Sequence, residues 1–462
     1  MTDAGHHDLV IVTGRLPAEP PGAARRPSRW TGEHAAWAAA LQPGLTMNGG
    51  AWIGWHGVAG PPVPPTCLQS VSLRAVPLSD AEIADHFEGQ CASTIAPLYH
   101  DGAERAAFHR RWRRAYRIVN ERFAAEAAAA AAPNAGIWVH GHDLQLVPAL
   151  LRAERPDLRI AFYLPLPVPP AELFRRMPMR AELLDGMLGA DTVLLPDRRS
   201  AENFRRLAAG IGGYRLDDGR VLTADRRVMV GTLPMGADAR LVAQLATGSN
   251  VARRVETLRR ELRAPRVVLL AVDALDAMAG TEQRLGAYSE LLADGKLPAD
   301  DCTLVQVVIP GPRPTDEQDR LRGRVEQLIA RINGMHSTVG RPAVHYVHRQ
   351  LDRVDTVALF RLADVLLATP LREGTSLVAK EYVAARSNDT GVVVLSEFSG
   401  TAEELMQARL VNPYDVEDIK RAILTAVEPG HDARPAMHEM RTSVLRYDVH
   451  WWAATALAML SR

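Results

Sequence analysis

Residues 365–395 read VLLATPLREGTSLVAKEYVAARSNDTGVVVL, and the fold prediction starts from this stretch. Its two ends, residues 365–368 and 392–395, are short apolar runs, and a helical segment separates them. Short buried strands that alternate with helices are typical of doubly wound α/β domains with parallel sheets. The stretch therefore predicts one strand–helix–strand unit of such a domain.

The same alternation extends along almost the whole chain, in two cycles. A segment that contains Pro234 and Gly236 separates the cycles and is predicted to be a hinge. A long helix is predicted over residues 108–132, stopped by Pro133. Two α/β domains in tandem suggest a cleft, in which a ligand would lie at the carboxyl ends of the strands. The predicted strands are residues 8–12, 51–55, 136–139 and 159–164 in the first cycle, and 266–272, 303–309, 343–347, 365–368 and 392–395 in the second.

The composition is that of an ordinary soluble globular protein, with 47% hydrophobic and 23% charged residues. Lys+Arg and Asp+Glu both number 54, which argues against a nucleic-acid partner, because such proteins usually carry a basic excess. No apolar run approaches the roughly 18 residues needed to cross a bilayer, and residues 1–16 lack the pattern of a signal peptide. Cys67, Cys91 and Cys302 fit no disulfide or zinc spacing, so we expect a cytoplasmic protein without membrane contact.

Several longer strings of residues are more specific than this periodicity. In chain order they are RLP at 15–17, GAWIGW at 50–55, LQLVP at 144–148, PDLRI at 156–160, TPLREG at 369–374, LVAKEYVA at 377–384, LSEF at 395–398 and VNPYD at 411–415. In this order they resemble the trehalose-6-phosphate synthase family nearly from end to end. Strings of this length, in this order, are much stronger evidence than a single glycine motif.

The resemblance implies a retaining glycosyltransferase with the GT-B fold, in which two Rossmann-like α/β domains face a cleft. The family transfers glucose from a UDP- or GDP-linked donor to glucose 6-phosphate without a metal or other cofactor. It implies an acceptor-side domain at residues 1–235 and a nucleotide-sugar-side domain at 236–447. The final helix, 448–462, would cross back to the first domain, because DVHWWA at 448–453 is similar to the family's crossing segment.

The family's donor motif, Val-Asp-Arg-Leu-Asp-Tyr-Thr-Lys-Gly, is altered in this chain. Residues 272–280 read VDALDAMAG, so Ala274 and Ala279 stand where the family has an arginine and a lysine that contact the diphosphate. Removing one well-placed donor to a developing charge costs about 10²–10³ in rate, and here two charged donors are missing. The resemblance therefore implies a degenerate donor site.

The acceptor side is altered as well. Gly141 replaces an aspartate that touches the acceptor glucose, and Pro165 replaces a histidine that contacts the donor sugar. Phe87 and Ala96 stand for a tyrosine and a tryptophan, and the family's phosphate-cradling Gly-Gly-Leu loop is not evident around residues 30–34. No catalytic residue is assigned.

Some of the family's contacts remain, and they imply a weakened binding site. The residual nucleotide-sugar residues are Glu373, Gly374, Leu377, Val378 and Glu381. Arg15 matches an arginine that binds the acceptor phosphate, and Arg313 is near another but shifted by one position. The candidate ligands are a sugar phosphate and a UDP- or GDP-linked sugar. Residues 140–143, HGHD, resemble a metal motif, but a polar loop after a strand is the favoured interpretation.

Three functional hypotheses follow from these substitutions. The first is a pseudoenzyme, a catalytically impaired family member with a regulatory or scaffolding role toward an active paralogue or copies of itself. The second is an active transferase with a remodelled site that makes trehalose 6-phosphate or a related disaccharide. The third is a sensor that binds a sugar phosphate through Arg15 and closes its hinge.

Overall fold

The computed structural model describes residues 6–17, 35–47, 49–298, 301–311, 316–428 and 432–460. The chain divides into two compact units. The first comprises the described residues of Met1–Met235 and Val449–Arg462, and the second those of Gly236–Asp448. Each unit contains its own sheet with helices packed on it, and the predicted α/β class is confirmed.

The sheet of the first unit is parallel at its centre and antiparallel only at its edges. Its strand order is β3-β4-β2-β1-β5-β6-β7-β10-β9-β8. The central strands are buried on both faces, which explains why they read as continuous apolar runs. The strands are β1 (His7–Arg15), β2 (Ala51–Trp55), β3 (Thr66–Leu68), β4 (Val71–Ala75), β5 (Ala131–His140), β6 (Arg159–Tyr163), β7 (Thr192–Leu195), β8 (Arg215–Asp217), β9 (Arg220–Leu222) and β10 (Arg227–Thr232).

The helices of this unit include an unusually long π-helix, Ala84–Ile95. Wide helical turns of this kind are rare and frequently occur at functional sites. Some α-helices of this unit begin at a side-chain N-cap. In α8 (Arg198–Gly210), for example, Asp197 accepts a hydrogen bond from the backbone N–H of Ser200. The α-helices are α1 (Ala35–Met47), α2 (Asp80–Ile83), α3 (Ala96–Tyr99), α4 (Arg110–Ala130), α5 (Val147–Glu154), α6 (Ala171–Phe174), α7 (Arg180–Met187) and α8 (Arg198–Gly210).

The end of α4 differs from the prediction. The alanine-rich run was expected to stay helical up to Pro133, but the helix ends at Ala130 and β5 begins at Ala131. Ala131 pairs with His7 of β1, so the last alanines join the sheet. Alanine has the highest helix propensity, yet strand pairing overrides that local preference here.

The sheet of the second unit is parallel throughout its described strands, in the order β13-β12-β11-β14-β15-β16. Its strands are β11 (Val267–Ala274), β12 (Cys302–Ile309), β13 (Val344–His348), β14 (Val365–Ala368), β15 (Val392–Ser396) and β16 (Arg409–Val411). Its helices are α9 (Ala239–Ala246), α10 (Ser249–Glu261), α11 (Thr281–Ala293), α12 (Asp316–His336), α13 (Arg353–Leu362), α14 (Leu377–Ala385), α15 (Val416–Ala426) and α16 (Arg434–Arg446).

The last helix, α17 (Val449–Leu460), belongs to the first unit. The Trp452 ring is fully buried there, with its centroid 5.7 Å from that of Trp37 and 5.5 Å from those of Trp138 and Tyr163. Edge-to-face contacts of this kind stabilise by about 0.5–1.5 kcal/mol each beyond the apolar area they bury. The helix therefore completes the aromatic core of the first unit.

Over the ranges that the structure describes, none of the helices combines the length and the apolarity that a membrane crossing needs.

Candidate ligand sites at the strand ends of the two units

In the first unit, β1 and β5 end side by side. They are parallel neighbours, with Thr13 paired to His140, so the residues that follow them lie at the same edge of the sheet. Ligands of open α/β sheets bind at the carboxyl ends of the strands. Gly141 follows β5 at a φ of 118°, a left-handed backbone conformation that favours glycine.

The carboxylate of Asp143 occupies this strand edge, although the sequence predicts no ligand-binding role for it. Oδ2 fills the space that a Cβ on Gly14 would need, and Oδ1 fills the space of a Cβ on Gly141. A glycine on β1 and a glycine directly after β5 thus make room for one carboxylate. Gly141 itself carries no acid, but a carboxylate reaches its position from two residues further along the chain.

Aromatic rings and one arginine lie at the same edge. Trp55 stacks on Phe87, with ring centroids 5.3 Å apart, and the guanidinium of Arg15 lies over Trp55 at 5.7 Å. A side chain at Gly57 would lie only 2.7 Å from Nη2 of Arg15, so this glycine keeps space for the guanidinium. Among the residues that the structure describes, Arg15 has no carboxylate partner.

Two histidines beside this edge carry no positive charge at neutral pH. Burial lowers the pKa of His86 to about 3 and that of His142 to about 4. His86 stacks on Tyr116, with ring centroids 5.2 Å apart. Of the described residues named here, Arg15 rather than an imidazole therefore offers positive charge to an anionic ligand.

The remaining acceptor-side positions lie elsewhere in the first unit. Pro165 is half-buried, two residues after β6, and Ala96 begins α3 directly after the π-helix. Residues 30–34 lie outside the described residues.

In the second unit, β11 leads into the altered donor motif. Asp276 accepts a hydrogen bond from the backbone N–H of Met278 at 2.7 Å, and Gly280 follows with a φ of 68°. A Cβ on Gly280 would overlap the carbonyl oxygen of Thr369, so the motif packs directly against the loop after β14. Ala274 is exposed and Ala279 is half-buried in this loop pair.

A guanidinium does lie under this motif, that of Arg284 on α11. It donates to Asp273 and, at 2.9 Å, to the hydroxyl of Thr369, and its side chain is completely buried. The amide of Gln306 also donates to Asp273, at 2.9 Å. Burial raises the pKa of Asp273, while Arg284 and Gln306 act in the opposite direction. Arg284 is thus committed to neutralising Asp273.

The loop after β14 and the start of α14 bring four predicted nucleotide-sugar residues together. Glu373 is half-buried and accepts a hydrogen bond from Ser399 at 3.2 Å, and Gly374 is buried beside it. Leu377 is 37% exposed at the first position of α14, with Val378 next to it. The first backbone N–H groups of a helix have no intrahelical partner and favour anions.

The fifth of these residues, Glu381, lies further along α14. Its carboxylate forms an ion pair with Arg353 at 2.8 Å. Arg353 starts α13, and Asp352 caps that helix by accepting from the backbone N–H of Asp355. Burial raises the pKa of Glu381, and Arg353 opposes this shift. Arg313 lies outside the described residues.

We expect the Glu373→Gln variant to become more stable relative to the parent chain as the pH rises from 4.5 to 7. Burial raises the pKa of Glu373 to about 7, with the negative charge of Asp273 contributing. The folded chain therefore holds this proton more tightly than the unfolded chain, so ionisation costs stability across that interval, by about 2–3 kcal/mol. Glutamine never ionises, so the variant lacks this loss.

Urea denaturation at pH 5 and pH 8 measures the difference. Glu154→Gln, at an exposed glutamate, serves as the matched control. An equal pH dependence in both variants and the parent chain would contradict the expected burial effect.

Across the ranges 6–17, 35–47, 49–298, 301–311, 316–428 and 432–460, no group of three or more His, Cys, Asp or Glu side chains could hold a metal ion. The HGHD stretch, considered above as a metal motif, instead contributes the Asp143 carboxylate to the strand edge.

Known proteins are similar to this chain over nearly its whole length. The model of glycosyltransferase family 20 matches residues 7–462. The trehalose-6-phosphate synthase of Mycobacterium avium (strain 104) is 42% identical over 471 residues, covering 99% of this chain and 96% of the relative.

Two solved structures show how similar the architecture is. An α,α-trehalose-phosphate synthase (UDP-forming) from Burkholderia xenovorans, in complex with glucose-6-phosphate, superposes with a TM-score of 0.89 at 26% identity, covering 99% of this chain and 100% of that chain. A structure described as trehalose-6-phosphate from E. coli bound with UDP-2-fluoro glucose superposes with a TM-score of 0.89 at 25% identity, covering 98% and 99%.

Proposed function

Because the chain belongs to glycosyltransferase family 20, we propose that it is a trehalose-6-phosphate synthase-like protein that binds a sugar phosphate but transfers glucose very poorly. Its role would then be regulatory or scaffolding, toward an active paralogue or other copies of itself. The relatives named as synthases make the family's ligands, a sugar phosphate and a UDP-linked sugar, the first candidates.

One observation carries this proposal: the donor motif contains no available cation. Ala274 and Ala279 have no charge, and the nearby guanidinium of Arg284 is buried against Asp273. A departing nucleoside diphosphate gains negative charge in the transition state, and preorganised donors are the main source of its stabilisation. Without them the leaving group is poorly stabilised, while binding of the ground state can persist.

Each unit has side-chain or backbone groups that suit one of the proposed ligands. Arg15, Asp143 and the Trp55–Phe87 pair combine a cation for a phosphate, an acceptor for hydroxyls and an apolar face for a sugar ring. The free backbone N–H groups at the start of α14 suit a diphosphate without any side-chain charge.

A turnover measurement tests the proposal directly. With glucose 6-phosphate and either UDP-glucose or GDP-glucose, we expect a rate at least about 10³-fold below that of the Mycobacterium avium relative assayed in parallel. Calorimetry on the same preparation should still detect binding of glucose 6-phosphate. Turnover comparable to that of the relative would contradict the proposal.

A second candidate is an active transferase with a remodelled site, and one observation favours it. The Asp143 carboxylate fills the space beside Gly141, so an acid remains at the acceptor side although residue 141 itself has none. A calorimetric screen of nucleotide sugars discriminates the two candidates, because an active transferase must bind one of them tightly enough to use it.

The Asp143→Asn variant is expected to bind glucose 6-phosphate about tenfold more weakly or worse, because hydrogen bonds to a charged acceptor are worth about 1.5–3 kcal/mol. Its affinity for glucose should fall by a similar factor. Arg15→Gln should weaken binding of glucose 6-phosphate alone, since its guanidinium is proposed to bind the phosphate. Calorimetry with both sugars measures this pattern.

Asp218→Asn is the control, at an exposed hairpin position whose φ of 46° asparagine tolerates. Unchanged affinity in Asp143→Asn, or a loss as large in the control, would show that Asp143 does not contact the sugar.

A further inference from the structure

The first turns of α4 carry an excess of positive charge. This segment contains Arg110, Arg111, Arg113, Arg114 and Arg117. Its first turn has no acidic residue, and His109, at the N-cap, makes no capping hydrogen bond. Cations at a helix N-terminus are unfavourable, because that end of the helix dipole is itself positive. An anion bound there would reduce the repulsion among the arginines and their repulsion by the positive end of the helix dipole.

A second set of arginines lies at the end of α6 and at the start of α7. Two adjoining cavities, of about 300 and 550 Å³, share Pro178 and Met179 in their walls. The smaller cavity is lined by Arg110 and Arg113, and the larger by Arg117, Arg175 and Arg180. Arginines from α4, from the end of α6 and from α7 therefore line two cavities that share part of their walls.

Few acids balance this charge. Arg111 pairs with Asp85 at 3.1 Å, and Arg117 pairs with Glu182. Within the part of the chain that the structure describes, the other arginines of the region have no carboxylate partner; they are Arg110, Arg113, Arg114, Arg175, Arg176 and Arg180. The chain as a whole is neutral, so the excess is local.

A buried amide provides independent evidence for a ligand. Gln90, on the π-helix, is only 3% exposed and lines the smaller cavity. Its Nε2 donates a hydrogen bond to Sδ of Met179 at 3.5 Å, and the second N–H of this amide has no acceptor among the described residues. An amide N–H is a hydrogen-bond donor, so this second N–H can bond to an oxygen of an anion held in the cavity.

The π-helix holds this amide in place against α4. The Trp112 ring packs on Gly89, where a Cβ would lie 2.6 Å from the ring. Thr94, the other π-helix residue in the cavity wall, already donates to the carbonyl of Ala107. Of the two π-helix residues in the cavity wall, Gln90 is therefore the one with a donor left for a ligand.

We propose that these two cavities form a binding site for a small ligand that carries two adjacent phosphate groups. Guanidinium groups match phosphate oxygens in a planar, bidentate geometry, which favours phosphate over other anions. The second amide N–H of Gln90 adds an uncharged donor in the wall of the smaller cavity. A small ligand is favoured over a polymer because the charges line concave cavities. This site is separate from the strand edges described above.

Isothermal titration calorimetry with inorganic pyrophosphate, at about 50 mM salt, tests the proposal. We expect Arg113→Gln/Arg180→Gln to bind pyrophosphate at least about tenfold more weakly than the parent chain. The control is Arg215→Gln/Arg220→Gln, which removes two exposed arginines of β8 and β9 in the same unit and should change affinity less than about twofold.

Orthophosphate, with one phosphate group, should bind the parent chain more weakly than pyrophosphate. Gln90→Leu should also weaken pyrophosphate binding without changing the charge of the site. Unchanged affinity in the Arg113/Arg180 variant, an equal loss in the control, or binding of long-chain polyphosphate without binding of pyrophosphate would each overturn the proposal.

Discussion

Placing cations at both altered positions, in the variant Ala274→Arg/Ala279→Lys, is expected to tighten UDP binding about a hundredfold. Each charge-assisted contact to the diphosphate is worth roughly 1.5–3 kcal/mol, so two of them supply at least about 3 kcal/mol. Ala274 is exposed and Ala279 half-buried, so both sites can accept a longer side chain. Calorimetry with UDP measures the gain.

The control variant, Ala252→Lys/Ala293→Arg, adds the same charge at exposed positions of α10 and α11 in the same unit. It should leave UDP affinity within about twofold, because exposed charges at a distance are screened. Turnover should stay low in both variants, since Pro165 and Gly141 are unchanged. If the first variant gains no affinity, the diphosphate does not bind at this loop.

The Arg284→Met variant is expected to lose about 3–5 kcal/mol in its free energy of unfolding. Its guanidinium is completely buried and neutralises Asp273, whose carboxylate would be left without a counter-charge. Removing one partner of a buried ion pair costs this much because the remaining charge cannot return to water. Urea denaturation followed by circular dichroism measures the loss.

A second substitution separates the charge effect from the loss of packing. In Asp273→Asn/Arg284→Met both charges of this buried pair are removed, so we expect part of the lost free energy of unfolding to return. Arg331→Met, at an exposed position of α12, should change stability by less than about 0.5 kcal/mol. A loss below about 1 kcal/mol in Arg284→Met itself would mean that Asp273 reaches solvent or another donor.

The two-sheet architecture could be predicted from the sequence because parallel strands buried on both faces leave continuous apolar runs. Residues 303–309 and 365–368, for example, lie within β12 and coincide with β14. The boundaries of helices and strands are harder to predict where the local helix propensity and the strand pairing disagree. The alanines after Ala130 favour a helix locally, but Ala131 joins the sheet beside His7.

The candidate sites could be predicted only in part, because their decisive contacts join residues far apart in the chain. Asp143 was considered only within a metal motif, since nothing in the sequence reveals that its carboxylate lies over Gly14. Likewise, the partner of Asp273 is Arg284, 11 residues away, and the partner of Glu381 is Arg353, 28 residues away. Sequence strings identify such residues but not their partners.

The position of α17 has a consequence for synthesis on the ribosome. The aromatic core around Trp138 and Tyr163 is completed by Trp452, which is translated only after all of Gly236–Asp448. At roughly 5–20 residues per second, this delay is on the order of 10–40 s. The second unit is continuous in sequence and has no such delay. We therefore expect the unit that is begun first to be the one that finishes folding last, and a nascent chain stalled before residue 449 to present an uncovered aromatic surface to chaperones.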